Sequence, residues 1–163
     1  MGGGLGFLLA INFPERVKRL ILLAPIPSSG YRAEKGFARK RDIFRLNKNI
    51  LALKKLLKQR ATFSYRKKES WFFQRAKTIC SSSNGHYFGV AKEMARFNIS
   101  RDLKNIATPT LFICGKKDPL LKKNMADKYA IPLSNMVVIE NAGHDIAIER
   151  PDKLSKIISK FIQ

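Results

Sequence analysis

Residues 109–120 read PTLFICGKKDPL, in which an unbroken apolar run ends at a glycine and a short polar segment. A run of this length without polar alternation is typical of a strand that is covered on both faces of a parallel sheet. Asp118 follows the run, and parallel sheets carry their functional side chains at the carboxyl ends of the strands. This stretch therefore predicts a buried parallel strand with a candidate site residue directly after it.

Two further apolar runs lie on either side of this stretch in the chain. Residues 17–25, VKRLILLAP, and residues 135–145, NMVVIENAGHD, predict two more covered strands. Helices are predicted at 2–13, within 116–131 and at 150–162. The first of these helices is apolar at nearly every position, which predicts burial on most of its sides. The alternation of strands and helices predicts an α/β fold with a parallel sheet.

The segment between the first two strands has a different pattern. From about residue 31 to residue 100, apolar residues recur every three or four positions among Lys and Arg, which predicts three or four amphipathic helices. The predicted organisation is therefore a sheet-bearing core at 1–27 and 103–163, interrupted by a helical insertion at 28–102.

The positive charge is concentrated in this insertion. The chain has 32 basic and 12 acidic side chains, and residues 31–100 hold 18 of the basic and 4 of the acidic ones, a net +14 out of +20. Three interpretations are open: a solvated helical surface, contact with an anionic membrane or an acidic substrate, and a nucleic-acid footprint. The solvated surface is favoured. Nucleic acid is disfavoured because the aromatic residues fall at helical spacing and no nucleic-acid module is recognisable.

The composition also argues against several other classes of protein. No run reaches the roughly 18 consecutive apolar residues that a membrane span needs, and residues 5–13 lack the basic start and cleavage site of a signal peptide. Two cysteines do not make a disulfide framework, and Cys114 is expected to be a small buried residue. His86 has no metal-ligating partner at a suitable spacing. We therefore expect a cytoplasmic protein with no metal and no cofactor.

Two titratable side chains are predicted at the same edge of the sheet, since Asp118 and His144 each follow a covered strand. Loops after neighbouring parallel strands meet at that edge, so we expect these side chains within hydrogen-bond distance. A carboxylate that accepts from one imidazole nitrogen leaves the other nitrogen as a general base. Asp145, Glu149 and Arg150 are expected outside this pair, the last two in solvent.

These motifs resemble the closing half of an α/β-hydrolase. In that family an acid follows the seventh strand and a histidine lies in a Gly-His loop after the eighth, and residues 109–120 and 137–162 match both features in that order. Residues 11–25 are similar to the helix and sixth strand that follow the family's nucleophile. The resemblance implies strands six to eight of the sheet, a lid at 28–102, and hydrolysis of a small-molecule ester or amide through an acyl-enzyme without a cofactor.

The first residues, MGGGLG, resemble the sequence that follows the nucleophile in the family's G-x-S-M-G-G elbow. The resemblance implies that Met1 carries an oxyanion-hole amide, that Gly2 and Gly3 are elbow glycines, and that the serine stands directly before Met1. The expectation is a fragment with Asp118 as orienting acid and His144 as general base, inactive without its nucleophile and N-terminal half. The alternative is a non-enzymatic basic binding protein, for an anionic membrane surface or an acidic partner, built on a hydrolase remnant.

Overall fold

A parallel sheet forms the centre of the fold. The computed structural model describes residues 2–59 and 68–163, and the strands within them are β1 (Leu20–Leu23), β2 (Thr110–Gly115) and β3 (Ser134–Ile139). They pair in parallel in the order β1–β2–β3. All six residues of β2 are buried, because this strand has a neighbour on each side and is covered on both faces. The predicted α/β class with a parallel sheet is therefore confirmed.

The register of the strands determines where their loops leave the sheet. Thr110 of β2 lies opposite Leu20 of β1 and Ser134 of β3, so the three strands begin in step. At the other end, Gly115 lies opposite Ile139. The loops that follow β2 and β3 therefore leave the sheet side by side at the same edge.

Helices account for most of the other described residues. A 3-10 turn that begins at Pro14 follows the first helix, because proline lacks the N–H that would continue it. The helices are α1 (Gly2–Asn12), α2 (Lys35–Leu46), α3 (Ile50–Gln59), α4 (Glu69–Ser81), α5 (Asn84–Arg96), α6 (Leu121–Ala130), α7 (Ile146–Glu149) and α8 (Pro151–Ile162). Among these described helices, none has the length and apolarity needed to cross a membrane.

One compact unit contains the sheet and comprises Met1–Tyr31 and Phe97–Gln163. On one face of the sheet, Phe112 and Cys114 belong to a core that includes Phe7 of α1. On the other face, Ile113 belongs to a core that includes Leu154 of α8. Successive residues of β2 thus enter opposite cores, as the pleat of a strand requires.

The second compact unit, Arg32–Arg96, is helical and contains α2 to α5. Its core includes Leu53 and Leu56 of α3 and Ala76 of α4. Leu53 and Leu56 are three residues apart and share one face of α3. Lys55 is exposed, so α3 is amphipathic as its sequence predicts.

The expectation that α1 is buried on most sides is wrong. Phe7 and Ala10 are fully buried, but Leu5, Leu9 and Phe13 are 58%, 53% and 47% exposed. These exposed residues are four apart and share one face of the helix. The reason lies in the sheet: α1 packs on β1, and among the described residues β1 pairs with β2 alone. A helix at the edge of a sheet is covered on one side only.

The exposed apolar face of α1 predicts self-association of the chain. An apolar patch and an open strand edge both offer surface to further copies. We expect the double substitution L5K/L9K to lower the mass measured by static light scattering toward the monomer value of 18.5 kDa.

The matched control is Y129K/L133K, which adds the same charge at positions that are 77% and 57% exposed and lie outside α1. It should leave the scattering mass unchanged. A wild-type chain that scatters as a monomer over a wide range of concentrations contradicts the prediction.

Candidate active site

The loops that follow β2 and β3 bring one carboxylate and one imidazole together. Asp118 lies in a tight turn after β2, where its N–H donates to the carbonyl oxygen of Gly115 at 3.0 Å. Its Oδ2 lies 3.0 Å from Nδ1 of His144, in the loop after β3. The Asp118 side chain is fully buried, whereas 48% of the His144 side chain is exposed. The two side chains expected to meet are therefore in contact, and the imidazole reaches solvent.

The hydrogen bonds of Asp118 hold its carboxylate and the His144 imidazole in a fixed relation. The other carboxylate oxygen, Oδ1, accepts from the N–H of Leu120 at 2.8 Å, which holds the carboxylate in place. With its hydrogen on Nδ1, His144 donates to Oδ2 and leaves Nε2 to accept a proton. The buried anion beside the ring stabilises the imidazolium that forms. In this arrangement Nε2 takes no part in the contact with Asp118, so the imidazole can exchange a proton there while the carboxylate holds the ring.

Gly115 allows the two loops to approach this closely. A Cβ at this position would lie 2.2 Å from the carbonyl oxygen of Gly143 and 2.5 Å from that of Ala142, which leaves no room for a side chain. The N–H of Lys117 donates to the Ala142 carbonyl at 2.9 Å and joins the loops directly. The glycine at the end of the apolar run is thus required by the neighbouring loop, a contact that the sequence does not reveal.

Glu149 holds the loop that carries the histidine. The expectation that it lies in solvent is wrong, because Glu149 is only 8% exposed. Both of its carboxylate oxygens lie 3.0 Å from the N–H of Gly143, the residue directly before His144. Glu149 is the last residue of the one-turn helix α7, which places its carboxylate against this loop. The only sequence signal was an acidic residue among apolar ones, five positions after the histidine.

The glycines at the start of α1 differ in their surroundings. A Cβ on Gly3 would lie 2.5 Å from Cβ of Pro25, so glycine is needed where α1 approaches the segment after β1. A Cβ on Gly2 would meet no described atom within 4 Å, so packing does not require glycine there. Met1 lies outside the described residues. The elbow and oxyanion-hole roles of these three residues stay predictions.

Cys114 is a potential nucleophile at the carboxyl end of β2, but its thiol is unsuited to attack a substrate. The thiol is fully buried, as expected, and burial raises its pKa to about 11, so it is protonated at neutral pH. His86 belongs to α5 of the helical unit. Within residues 2–59 and 68–163, no three His, Cys, Asp or Glu side chains are grouped as metal ligands.

Comparison with known proteins identifies the fold family. A profile of the family described as alpha/beta hydrolase fold matches residues 1–151. The chain belongs to the α/β-hydrolase fold family. Both the Asp118 loop and the His144 loop lie within the matched residues, so the site described above is part of that fold.

Among curated relatives in this family, mouse monoacylglycerol lipase ABHD6 is 35% identical over 78 residues, which are 47% of this chain and 23% of the lipase. A putative 2-succinyl-6-hydroxy-2,4-cyclohexadiene-1-carboxylate synthase from Bacillus subtilis is 25% identical over 99% of this chain and 63% of its own length. The chain thus spans less than two thirds of the length of these relatives.

Solved structures show the same fold at low sequence identity. A bromoperoxidase from Bacillus anthracis has a TM-score of 0.80 at 16% identity, and the superposition covers 99% of this chain and 63% of that one. The enol-lactonase from Burkholderia xenovorans LB400 has a TM-score of 0.78 at 20% identity, covering 99% and 62%. At these identities the likeness establishes the fold alone.

The contact at Gly115 yields a stability prediction. We expect Gly115→Ala to lower the free energy of unfolding by about 1–3 kcal/mol, because the added methyl group forces the two loops apart. The matched control is Gly89→Ala in α5, where an added Cβ meets no described atom within 4 Å and alanine favours the helix. Urea unfolding followed by circular dichroism compares the two variants, and equal midpoints contradict the prediction.

The contact at Glu149 yields a second prediction. Glu149→Ala leaves the buried N–H of Gly143 without this acceptor, so we expect a loss of about 1–3 kcal/mol in unfolding free energy. Glu149→Gln keeps an acceptor and should lose less. The control is Glu140→Ala, whose exposed side chain pairs with Lys116 at 3.5 Å and should matter by less than about 0.5 kcal/mol. Equal losses at the two glutamates would show that the Gly143 contact is energetically unimportant.

Proposed function

We propose that this chain carries the acid and the general base of a serine-hydrolase site that cleaves a small-molecule ester or amide. The observation that supports this most directly is the 3.0 Å contact between Asp118 Oδ2 and His144 Nδ1 at the carboxyl edge of an α/β-hydrolase sheet. The curated relative named as a monoacylglycerol lipase favours an ester over an amide as the substrate. The lining of the substrate pocket would decide which ester is bound.

In the proposed reaction His144 transfers protons in two steps. Nε2 accepts the proton of a serine hydroxyl as its oxygen attacks the substrate carbonyl carbon, and then donates that proton to the leaving alcohol. Water next attacks the acyl-enzyme while Nε2 takes one of the water's protons. That proton returns to the serine oxygen as the carboxylic acid leaves. Asp118 stays ionised throughout and stabilises the imidazolium formed in each step.

The nucleophile is proposed to come from protein outside the 163 residues. The first serine of the sequence is Ser28, whose hydroxyl is buried and donates to Asp127 Oδ1 at 2.6 Å. The family's motif instead places the serine directly before Met1, whose amide would be one of the two oxyanion donors. We propose that without this serine the 163 residues alone do not catalyse ester cleavage.

The same outside protein is the proposed partner of the open sheet edge. In the described residues, β1 has an unpaired side, and the exposed apolar face of α1 lies beside it. A strand that pairs along Leu20–Leu23 would satisfy the open N–H and C=O groups. The insertion at 28–102 follows the carboxyl end of β1, the place of the lid in the family, and we propose that role for it.

A non-enzymatic binding function is the competing proposal, and it rests on the charge of the helical unit. Residues 32–96 hold 18 basic and 4 acidic side chains, an excess of positive charge that favours an anionic partner. The two proposals make different predictions for Asp118 and His144. Hydrolysis depends on both residues, whereas binding by the helical unit depends on neither.

The first test applies to the 163-residue chain by itself. We expect no covalent adduct after treatment with a fluorophosphonate, measured by intact mass, because the proposed nucleophile lies outside the 163 residues. A stoichiometric adduct on any serine of the chain would overturn the assignment of the nucleophile to outside protein.

The second test uses a longer protein in which this chain is preceded by the other strands of an α/β-hydrolase sheet. The added part carries the elbow serine. Substituting His144 or Asp118 by alanine is expected to lower kcat for a p-nitrophenyl ester by about 10⁴- to 10⁶-fold. The control is His86→Ala, the only other histidine of the chain, which should leave kcat unchanged. Equal rates for His144→Ala and His86→Ala would exclude the proposed general base.

A further inference from the structure

A groove on the helical unit combines cationic and apolar side chains. It runs along α3 and the start of α4, and its lining consists of Leu51, Lys54, Lys55, Lys58, Gln59 and Glu69. Leu51 and Lys55 are four residues apart on α3, so they share the face opposite the buried Leu53 and Leu56. The groove is therefore open to a partner that contacts the outward face of α3.

The charge of the groove is positive even after its internal ion pairs are formed. Among the described residues of the lining, Glu69 is the only acidic one, and its carboxylate pairs with Lys54 at 3.0 Å and also with Lys58. Lys55 is exposed and has no carboxylate partner among the described residues. Three ammonium groups and one carboxylate leave an excess of positive charge that favours an anionic partner.

Two leucines are exposed in the groove and at the end of α2. Leu51 is 67% exposed in the groove, and Leu46, the last residue of α2, is 54% exposed. The turn between them presents Lys48, which is also exposed. Exposed apolar side chains beside lysines can leave water at a membrane surface, where the ammonium groups meet lipid phosphates.

We infer that α3 and the α2–α3 turn dock on the surface of an anionic phospholipid bilayer. Leu46 and Leu51 enter the boundary of the acyl chains, and Lys48, Lys55 and the groove lysines contact the lipid phosphates. A nucleic acid is disfavoured as the occupant because, among the described residues of the lining, the cations are all lysines and none is an aromatic residue on which a base could stack. This docking is independent of the proposed hydrolase activity.

Flotation of the chain with vesicles in a density gradient tests the inference, since bound protein rises and aggregated protein sinks. We expect flotation with vesicles of phosphatidylcholine plus phosphatidylserine, little with phosphatidylcholine alone, and a decrease as salt is added. Lys55→Glu is expected to weaken binding by roughly 5- to 30-fold, because each basic residue near the surface contributes about a fivefold change. Leu51→Ser should also weaken binding.

The matched controls are Lys123→Glu and Leu133→Ser, which make the same chemical changes at exposed positions of the sheet-bearing unit. Glu69→Gln removes the one carboxylate among the described residues of the lining and is expected to strengthen binding, because Lys54 and Lys58 lose their anionic partner. The inference is overturned by equal flotation with both kinds of vesicle, by equal effects of Lys55→Glu and Lys123→Glu, or by binding of RNA in the absence of vesicle binding.

Discussion

The close approach of the loops after β2 and β3 is the constraint on which the rest of the site depends. Parallel pairing brings Gly115 opposite Ile139, and the absence of a side chain at Gly115 lets the second loop pass over it. Only then do Asp118 and His144 come within 3.0 Å of each other. Strand pairing and the close backbone approach at Gly115 therefore bring the carboxylate and the imidazole together, and the geometry of the pair depends on the sheet.

Buried carboxylates organise the loops of an otherwise basic chain. Asp118 accepts from the N–H of Leu120, Glu149 accepts from that of Gly143, and Asp127 of α6 accepts from that of Ser28 at 2.7 Å. Each of these N–H groups lies in a loop near the carboxyl edge of the sheet, outside the regular pairing of strands. A carboxylate accepts such hydrogen bonds more strongly than a neutral oxygen does. Three of the twelve acidic residues thus have a structural role, which the net charge of +20 by itself does not indicate.

The basic side chains of the helical unit also differ in burial. Arg45 is 3% exposed, and its guanidinium lies 4.3 Å from the centre of the Tyr87 ring and donates to Asn84 at 2.8 Å. Burial raises the pKa of Tyr87 to about 12, so its hydroxyl stays protonated and donates to Asp42. Arg45 therefore belongs to the interior of the unit, whereas Lys55 faces outward. A count of basic residues does not separate these roles, although only outward-facing cations can recognise an anionic surface.

The sequence by itself determined the local elements and the candidate pair. Unbroken apolar runs predicted the covered strands, residues spaced for one helix face predicted α2 to α5, and strand order placed Asp118 and His144 at one edge. Only the tertiary structure decided burial that depends on distant neighbours. Glu149 is buried because a one-turn helix directs it to Gly143, and Leu9 is exposed because β1 has one described neighbour in the sheet. Periodicity reports which residues share a face, whereas packing decides whether another element covers that face.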